Sequence, residues 1–133
     1  MWLLKTEPGT YSYEDLEREG RARWDGVTNP AALRNLGAMK RGDAVLVYHT
    51  GSEKAVVGLA SVVREAYPDP RGKGERLVVV DVEPRRRLAR PVTLAEIKAM
   101  AQFAESPLVR QGRLSVVPIT EAQWKAIESR GQR

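Results

Sequence analysis

The sequence predicts an α+β fold, with about five or six strands of mixed length forming a small curved sheet or barrel and short helices at its margins. Two observations predict the class. β-Branched apolar runs at Ala44–His49, Val56–Ala66 and Leu77–Glu83 follow one another without a helix between each pair, which excludes a doubly wound sheet. Helix-start signals cluster instead toward the two ends of the chain, at Ser12, Asn29, Thr93 and Thr120. A third observation sets the scale: 133 residues with 42% hydrophobic content and no internal repeat suit one domain, residues 1–133, around one core.

Each element has its own signal. Trp2 to Lys5 is a short apolar strand, ended by Glu7-Pro8-Gly9, since Pro8 lacks a donor and Gly9 permits a turn. Ser12 caps a short helix with Asp15 at its third position, and Gly20 ends it. Trp24 to Asn29 is rich in turn formers and reads as a loop. Asn29-Pro30 opens a second helix whose apolar face is Ala31, Leu33, Leu36 and Met39. Gly42-Asp43 turns into the strand Ala44–His49, and Gly51-Ser52 turns again. Gly58 inside the strand Val56–Ala66 predicts a bulge or a close backbone approach. Tyr67 to Gly74 reads as a polar loop, and Arg85-Arg86-Arg87 as a solvated turn after the strand Leu77–Glu83. Thr93 with Glu96 boxes a helix through Met100. Arg113 to Val117 reads as the last strand, and Thr120 with Gln123 caps the final helix. Trp2 and Trp124 are core by position.

Composition narrows the function. The formal charge of +5 comes mostly from arginine and favours an anionic partner, of which nucleic acid is the commonest. A solubility charge or a heat-adapted composition accounts for the same excess. Cysteine is absent, so disulfides and thiolate metal sites are excluded and a reducing cytoplasm is the expected setting. No apolar run approaches the roughly 18 residues of a membrane helix, and the apolar start is too short for a signal peptide. With His49 the single histidine, zinc lacks a ligand set, and no metal or cofactor is expected. There is no nucleophile elbow, P-loop or dinucleotide fingerprint, and Arg71-Gly72-Lys73-Gly74 lacks the phosphate-loop spacing. A binding protein is expected, not an enzyme.

The aromatic residues carry more. Trp24 lies between Arg23 and Asp25, outside any apolar pattern. Two readings stay open: it plugs the base of the barrel with its indole N–H on a carbonyl, or it forms one wall of a pocket that stacks a flat ligand. Tyr48-His49-Thr50 ends a strand at a sheet rim, where binding groups gather, although Tyr48 also suits a core and His49 a surface.

Five segments in order resemble the EVE domain family: Trp2 to Pro8, Trp24 to Asn29, Val47 to Thr50, Glu65 to Asp69 and Arg113 to Val116. The resemblance covers nearly the whole chain. It implies a PUA-like pseudo-barrel related to the YTH domain, and a pocket for a modified base, foremost 5-methyl- or 5-hydroxymethylcytosine in DNA. RNA carrying a modified or flipped base, or a free nucleoside, is the alternative partner. Carried onto this chain, Trp24 and Tyr48 line an aromatic pocket, Asn29, His49, Thr50 and Ser115 supply polar contacts, and Lys5, Thr6 and Glu7 sit at its mouth or floor. Thr6 and Thr50 stand where serine is usual, Thr28 where arginine is common, and Leu46-Val47 where aromatics are frequent. Arg23, Arg71, Lys73, Arg85, Arg86 and Arg87 are the candidates for phosphate contact. Such chemistry suits base inspection: the base leaves the stack, stacks on aromatic planes for roughly 1–3 kcal/mol, and is identified by hydrogen bonds along its edge.

Overall fold

The computed structural model describes residues 1–71 and 76–132. Strand β1 (Trp2–Thr6) lies between two neighbours, parallel to β3 (Ala44–His49) and antiparallel to β6 (Val116–Pro118). Leu3 and Leu4, which point to opposite faces, are both fully buried, so β1 is covered on both sides. β3 pairs antiparallel with β4 (Ala55–Pro68), β4 with β5 (Val78–Thr93), and β5 with β2 (Ala22–Trp24). The mixed six-stranded sheet has the order β2-β5-β4-β3-β1-β6 and curls into a half-barrel, the expected α+β pseudo-barrel.

The two long strands carry the curl. The β4–β5 ladder shifts register at four places, and β3 shifts against β4 between Val47 and Tyr48. Each irregularity adds local twist. Gly58 stands at one of them for a second reason as well. A Cβ there would lie 2.4 Å from the ring of Tyr13, the fully buried first residue of α1 (Tyr13–Glu19). The glycine is the gap into which that ring fits, so both expectations for it hold.

The helix ends follow their sequence signals. Ser12 and Asp15 form a reciprocal capping box, and Gly20 closes α1 in the left-handed conformation at φ 74°. Asn29 Oδ1 accepts from the amides of Ala31 and Ala32 to start α2 (Pro30–Ala38). Thr93 with Glu96 boxes α3 (Leu94–Lys98), and Thr120 with Gln123 boxes α5 (Glu121–Gly131). Trp2 and Trp124 pack partly buried against the core, and Trp2 Nε1 donates to Asp43 Oδ2 at 2.9 Å.

Five boundaries differ from the sequence reading. Trp24 ends strand β2, where it pairs with Val80, because Ala22 and Trp24 alternate inward around an outward Arg23. Arg85, Arg86 and Arg87 lie inside β5, since the Leu59 and Gly58 register partners continue the ladder beneath them. Tyr67 belongs to β4 and pairs with Val79, so that strand runs two residues further than expected, to Pro68. The last strand starts at Val116, and α3 stops at Lys98. A 3₁₀ turn (Ala101–Phe103) and α4 (Pro107–Arg110) fill the span between α3 and β6, with Ser106 capping and Pro107 in the first turn.

Two predictions follow from this packing. Gly58→Ala forces Tyr13 to move and lowers stability by about 1–3 kcal/mol, measurable by urea unfolding. The second concerns Glu96, which accepts from Arg90 Nη2 at 2.8 Å and from Arg130 Nε at 2.6 Å. Arg90 first, then the Thr93 amide and Arg130, hold its carboxyl far below the usual range. A depressed folded-state pKa stabilises above the unfolded-chain value near 4.5 and loses that contribution as pH falls below it. Glu96→Gln is therefore less stable than wild type at pH 7, and the gap narrows by pH 3 in the same unfolding assay.

Candidate nucleic-acid interface

The sheet does not close, and its open seam is a cavity of about 520 Å³. One side is β2, at one edge of the sheet, with Ala22 and Trp24. The other is the end of β1 with Lys5 and Thr6, and Ser115 just before β6 at the opposite edge. The curl of the long strands thus brings the two edges face to face. Thr10, Tyr11 and Glu19, before and at the end of α1, form a third wall.

The aromatic wall is a pair. The Tyr11 and Trp24 rings meet edge to face, with centroids 6.1 Å apart and planes at 85°. This geometry is the favoured one for two aromatic quadrupoles. Trp24 is 7% exposed and belongs to the core as well as to the cavity. Among the described residues no carbonyl accepts from its indole N–H. The Tyr11 hydroxyl donates to Glu19. Burial and then that carboxylate push its pKa well above 10, so the phenol stays protonated.

Polar groups surround the pair. Lys5 Nζ is half-buried, donates to the Gly112 carbonyl at 2.9 Å, and has its pKa lowered by burial. Thr6 Oγ1 donates to the Tyr11 carbonyl at 2.6 Å and fixes the loop that carries Tyr11. Arg21, Arg23 and Arg71 add positive charge to the lining, and Asp25 a carboxylate.

Four of the nine candidate pocket residues share this cavity: Trp24, Ser115, Lys5 and Thr6. The other five lie elsewhere. Tyr48 and Thr50 line a smaller cavity of about 170 Å³, for which Lys5 is a common wall. Tyr48 is 4% exposed, its phenol pKa is raised by burial, and Lys5 Nζ sits 5.7 Å from its ring centre. Asn29 is engaged in capping α2 and lines a third cavity with Gln111 and Arg113. Glu7 Oε1 accepts from the Gly9 amide at 3.1 Å, and Glu7 Oε2 faces Thr50 Oγ1 at 3.4 Å. His49 is buried: its Nε2 accepts from the Tyr13 amide at 2.9 Å, so Nδ1 carries the proton and donates to Glu53 Oε1 at 2.7 Å. Of the phosphate candidates, Arg86 pairs with Glu128 at 2.8 Å and Arg87 with Glu17, whereas Arg85 stands 3.7 Å from Glu83. Arg23 and Arg71 reach the seam cavity, and Lys73 lies outside the described residues.

The EVE domain model matches residues 1–130 of the chain. Human thymocyte nuclear protein 1 is 31% identical over 162 residues, an alignment spanning 96% of this chain and 72% of that protein. This chain belongs to the EVE domain family. Its fold matches a protein of Agrobacterium tumefaciens with a TM-score of 0.94 at 34% identity, over 98% of this chain and 91% of that one. A protein of Rhodopseudomonas palustris matches with a TM-score of 0.91 at 39% identity, over the same shares of the two chains. The structure of the human protein in complex with 5-methylcytosine-containing DNA matches with a TM-score of 0.89 at 30% identity, over 99% of this chain and 97% of that one.

Sequence reasoning missed part of this EVE domain's cavity. Tyr11, between Thr10 and Ser12, has the polar flanks that singled out Trp24, and the same test would have found it. Glu19, Arg21 and Asp25 carried no local signal, because only the curl of the sheet brings them to the seam. His49 reads as a structural bridge between α1 and the β3–β4 turn. His49→Ala leaves the buried Tyr13 amide without its acceptor and costs about 1–3 kcal/mol in urea unfolding.

Proposed function

We propose that this EVE domain binds DNA and recognises a modified cytosine, 5-methyl or 5-hydroxymethyl, in the seam cavity beside Trp24 and Tyr11, without catalysis. The observation that carries the proposal is the human relative's complex with 5-methylcytosine-containing DNA, whose chain matches this one over 99% of its length. The cavity has the chemistry the task needs. A base taken out of the stack is held by aromatic surface, which Trp24 and Tyr11 offer. Asp25 can accept from the exocyclic amine of cytosine, while Ser115 and Thr10 can donate to its O2 carbonyl oxygen or N3 ring nitrogen. Stacking barely distinguishes bases, so selectivity rests on these edge contacts and on fit around the 5-substituent, whose methyl contributes about 0.8 kcal/mol when buried.

Two features support binding without turnover. The one histidine is occupied on both ring nitrogens, which leaves it unavailable as a general base at the cavity. Among the described residues no group of three or more acidic or histidine side chains is placed to hold a metal. The absence of cysteine supports a cytoplasmic setting.

Fluorescence anisotropy with short duplexes carrying one cytosine, 5-methylcytosine or 5-hydroxymethylcytosine tests the reading. Wild type is expected to prefer a modified base. Trp24→Ala weakens that binding roughly 5- to 150-fold, the loss of one base–aromatic stack, and abolishes the preference. Trp24→Phe keeps an aromatic plane and most of the affinity, which separates a pocket role from a folding defect. Equal binding of all three duplexes by wild type overturns the modification reading. Tighter binding of the matched RNA, or of the free nucleoside with little salt dependence, replaces DNA as the partner.

A further inference from the structure

A further cavity of about 450 Å³ lies against the seam cavity, with Arg21 as their shared wall. Its other cationic walls are Arg41, at the turn before β3, and Arg85 on β5, with Ser61 of β4 beside them. One carboxylate, Glu83, also lines it.

The charges here are loosely held. Arg21 meets Asp81 through a single contact at 3.2 Å, and Arg85 is 3.7 Å from Glu83, beyond hydrogen-bond reach. The Arg41 guanidinium has no ion pair among the described residues, although the Arg41 amide donates to Glu65 at 3.2 Å. Several arginines elsewhere are held more closely: Arg86 to Glu128 at 2.8 Å, and Arg90 and Arg130 to Glu96 at 2.8 and 2.6 Å. Ser61 Oγ supplies a separate observation. It is the one buried side-chain polar atom without a hydrogen-bond partner among the described residues, and its residue lines this cavity. A buried hydroxyl with no acceptor is costly unless something completes it. Three guanidinium groups and a spare hydroxyl in one hollow match the oxygen acceptors of a phosphodiester.

We propose that this hollow seats a DNA backbone phosphate next to the nucleotide whose base occupies the seam cavity, with Arg21 reaching both. The inference rests on the base-binding reading above, and it gives the partner's register: base on one side of Arg21, phosphate on the other. Phosphate contacts orient a nucleic acid without selecting its sequence, so this seat governs affinity and salt dependence, and the aromatic cavity governs preference.

The test measures affinity for an unmodified and a 5-methylcytosine duplex between 50 and 200 mM salt. Wild type, Arg41→Ala, Arg85→Ala, the double variant and Arg86→Ala are compared, each confirmed folded by circular dichroism. Each of the two cavity arginines is expected to reduce the salt slope by about one. In the double variant, the fold-loss of affinity across that salt range shrinks roughly tenfold relative to wild type. Both duplexes weaken equally, so the ratio between them is unchanged. Arg86→Ala, which breaks a pair with Glu128, keeps the wild-type slope, and Arg41→Lys keeps it too. A folded double variant with wild-type affinity and slope overturns the phosphate seat. Because the slope is measured on plain DNA, a wild type that fails to distinguish the duplexes sinks the base reading alone, and the slope still reports on the seat.

Discussion

The contact on which the rest of the site depends is the ring of Tyr13 against the bare backbone of Gly58. Any side chain at residue 58 would occupy the space of that ring. Tyr13 is further held at both its ends: the hydroxyl donates to the Leu59 carbonyl at 2.6 Å, and its backbone amide donates to His49 Nε2 at 2.9 Å. Helix α1 is thereby fixed to β3 and β4 at its first residue. Six residues must then connect the end of β1 at Thr6 to Tyr13. The amides of Thr10 and Tyr11 fold back onto the Glu7 carbonyl, and Thr6 Oγ1 takes the Tyr11 carbonyl. No slack is left for Tyr11, which lands edge-on to Trp24. An aromatic cavity wall is therefore the consequence of a core contact.

Charge is organised by the same sheet. A run of three arginines looks like one basic patch in a sequence, but a strand turns successive side chains to opposite faces. Arg86 reaches α5 through Glu128, whereas Arg87 reaches α1 through Glu17 and lies 5.6 Å from the Tyr13 ring centre. Exposed ion pairs of this kind contribute little stability each. They do remove their arginines from the charge available to a polyanion. Among the arginines left over, Arg23 and Arg71 at the seam and Arg41 at the neighbouring hollow are scattered along the chain, and only the fold brings them there.

What could be read from the sequence was what local chemistry determines. Ser12 with Asp15, Thr93 with Glu96 and Thr120 with Gln123 are short-range hydrogen-bond patterns, and each formed where its residues stand. Gly58 announced a close approach, though not its partner, because Tyr13 is 45 positions away by number and meets it only through the sheet. β2 went unread since three residues show no period, and its pairing with β5 comes from the long strand's readiness to accept a partner. The same limit applies to the site. Lys5, Thr6, Trp24 and Ser115 were grouped through family motifs and do meet at one cavity. Tyr48, His49 and Thr50 belong to an equally recognisable motif, yet the strand end carries them to the far side of Lys5 and into the α1 anchor. A motif marks residues that matter together, and it does not separate those that form a pocket from those that hold it in place.

The position of the cavity follows from the lengths of the edge strands. β2 and β6 have three residues each, beside long inner strands of 14 and 16. Short edges cannot hydrogen-bond across to each other along the barrel, and they also present little unpaired backbone for aggregation. Had both edges run the length of β4, the sheet would close, and in a barrel this small side chains from every strand would fill the interior. Stopping them early leaves the seam open, while Leu3, Leu4, Val45 and Val80 of the neighbouring strands stay fully buried. The half-barrel thus keeps a rigid core beneath an unfilled gap. Lys5 is held there by the Gly112 carbonyl, and Trp24 by the core, so under the proposed base-binding role neither has to be ordered on binding. Preorganisation of that kind lowers the entropic cost of binding, and it arises here from where two strands end.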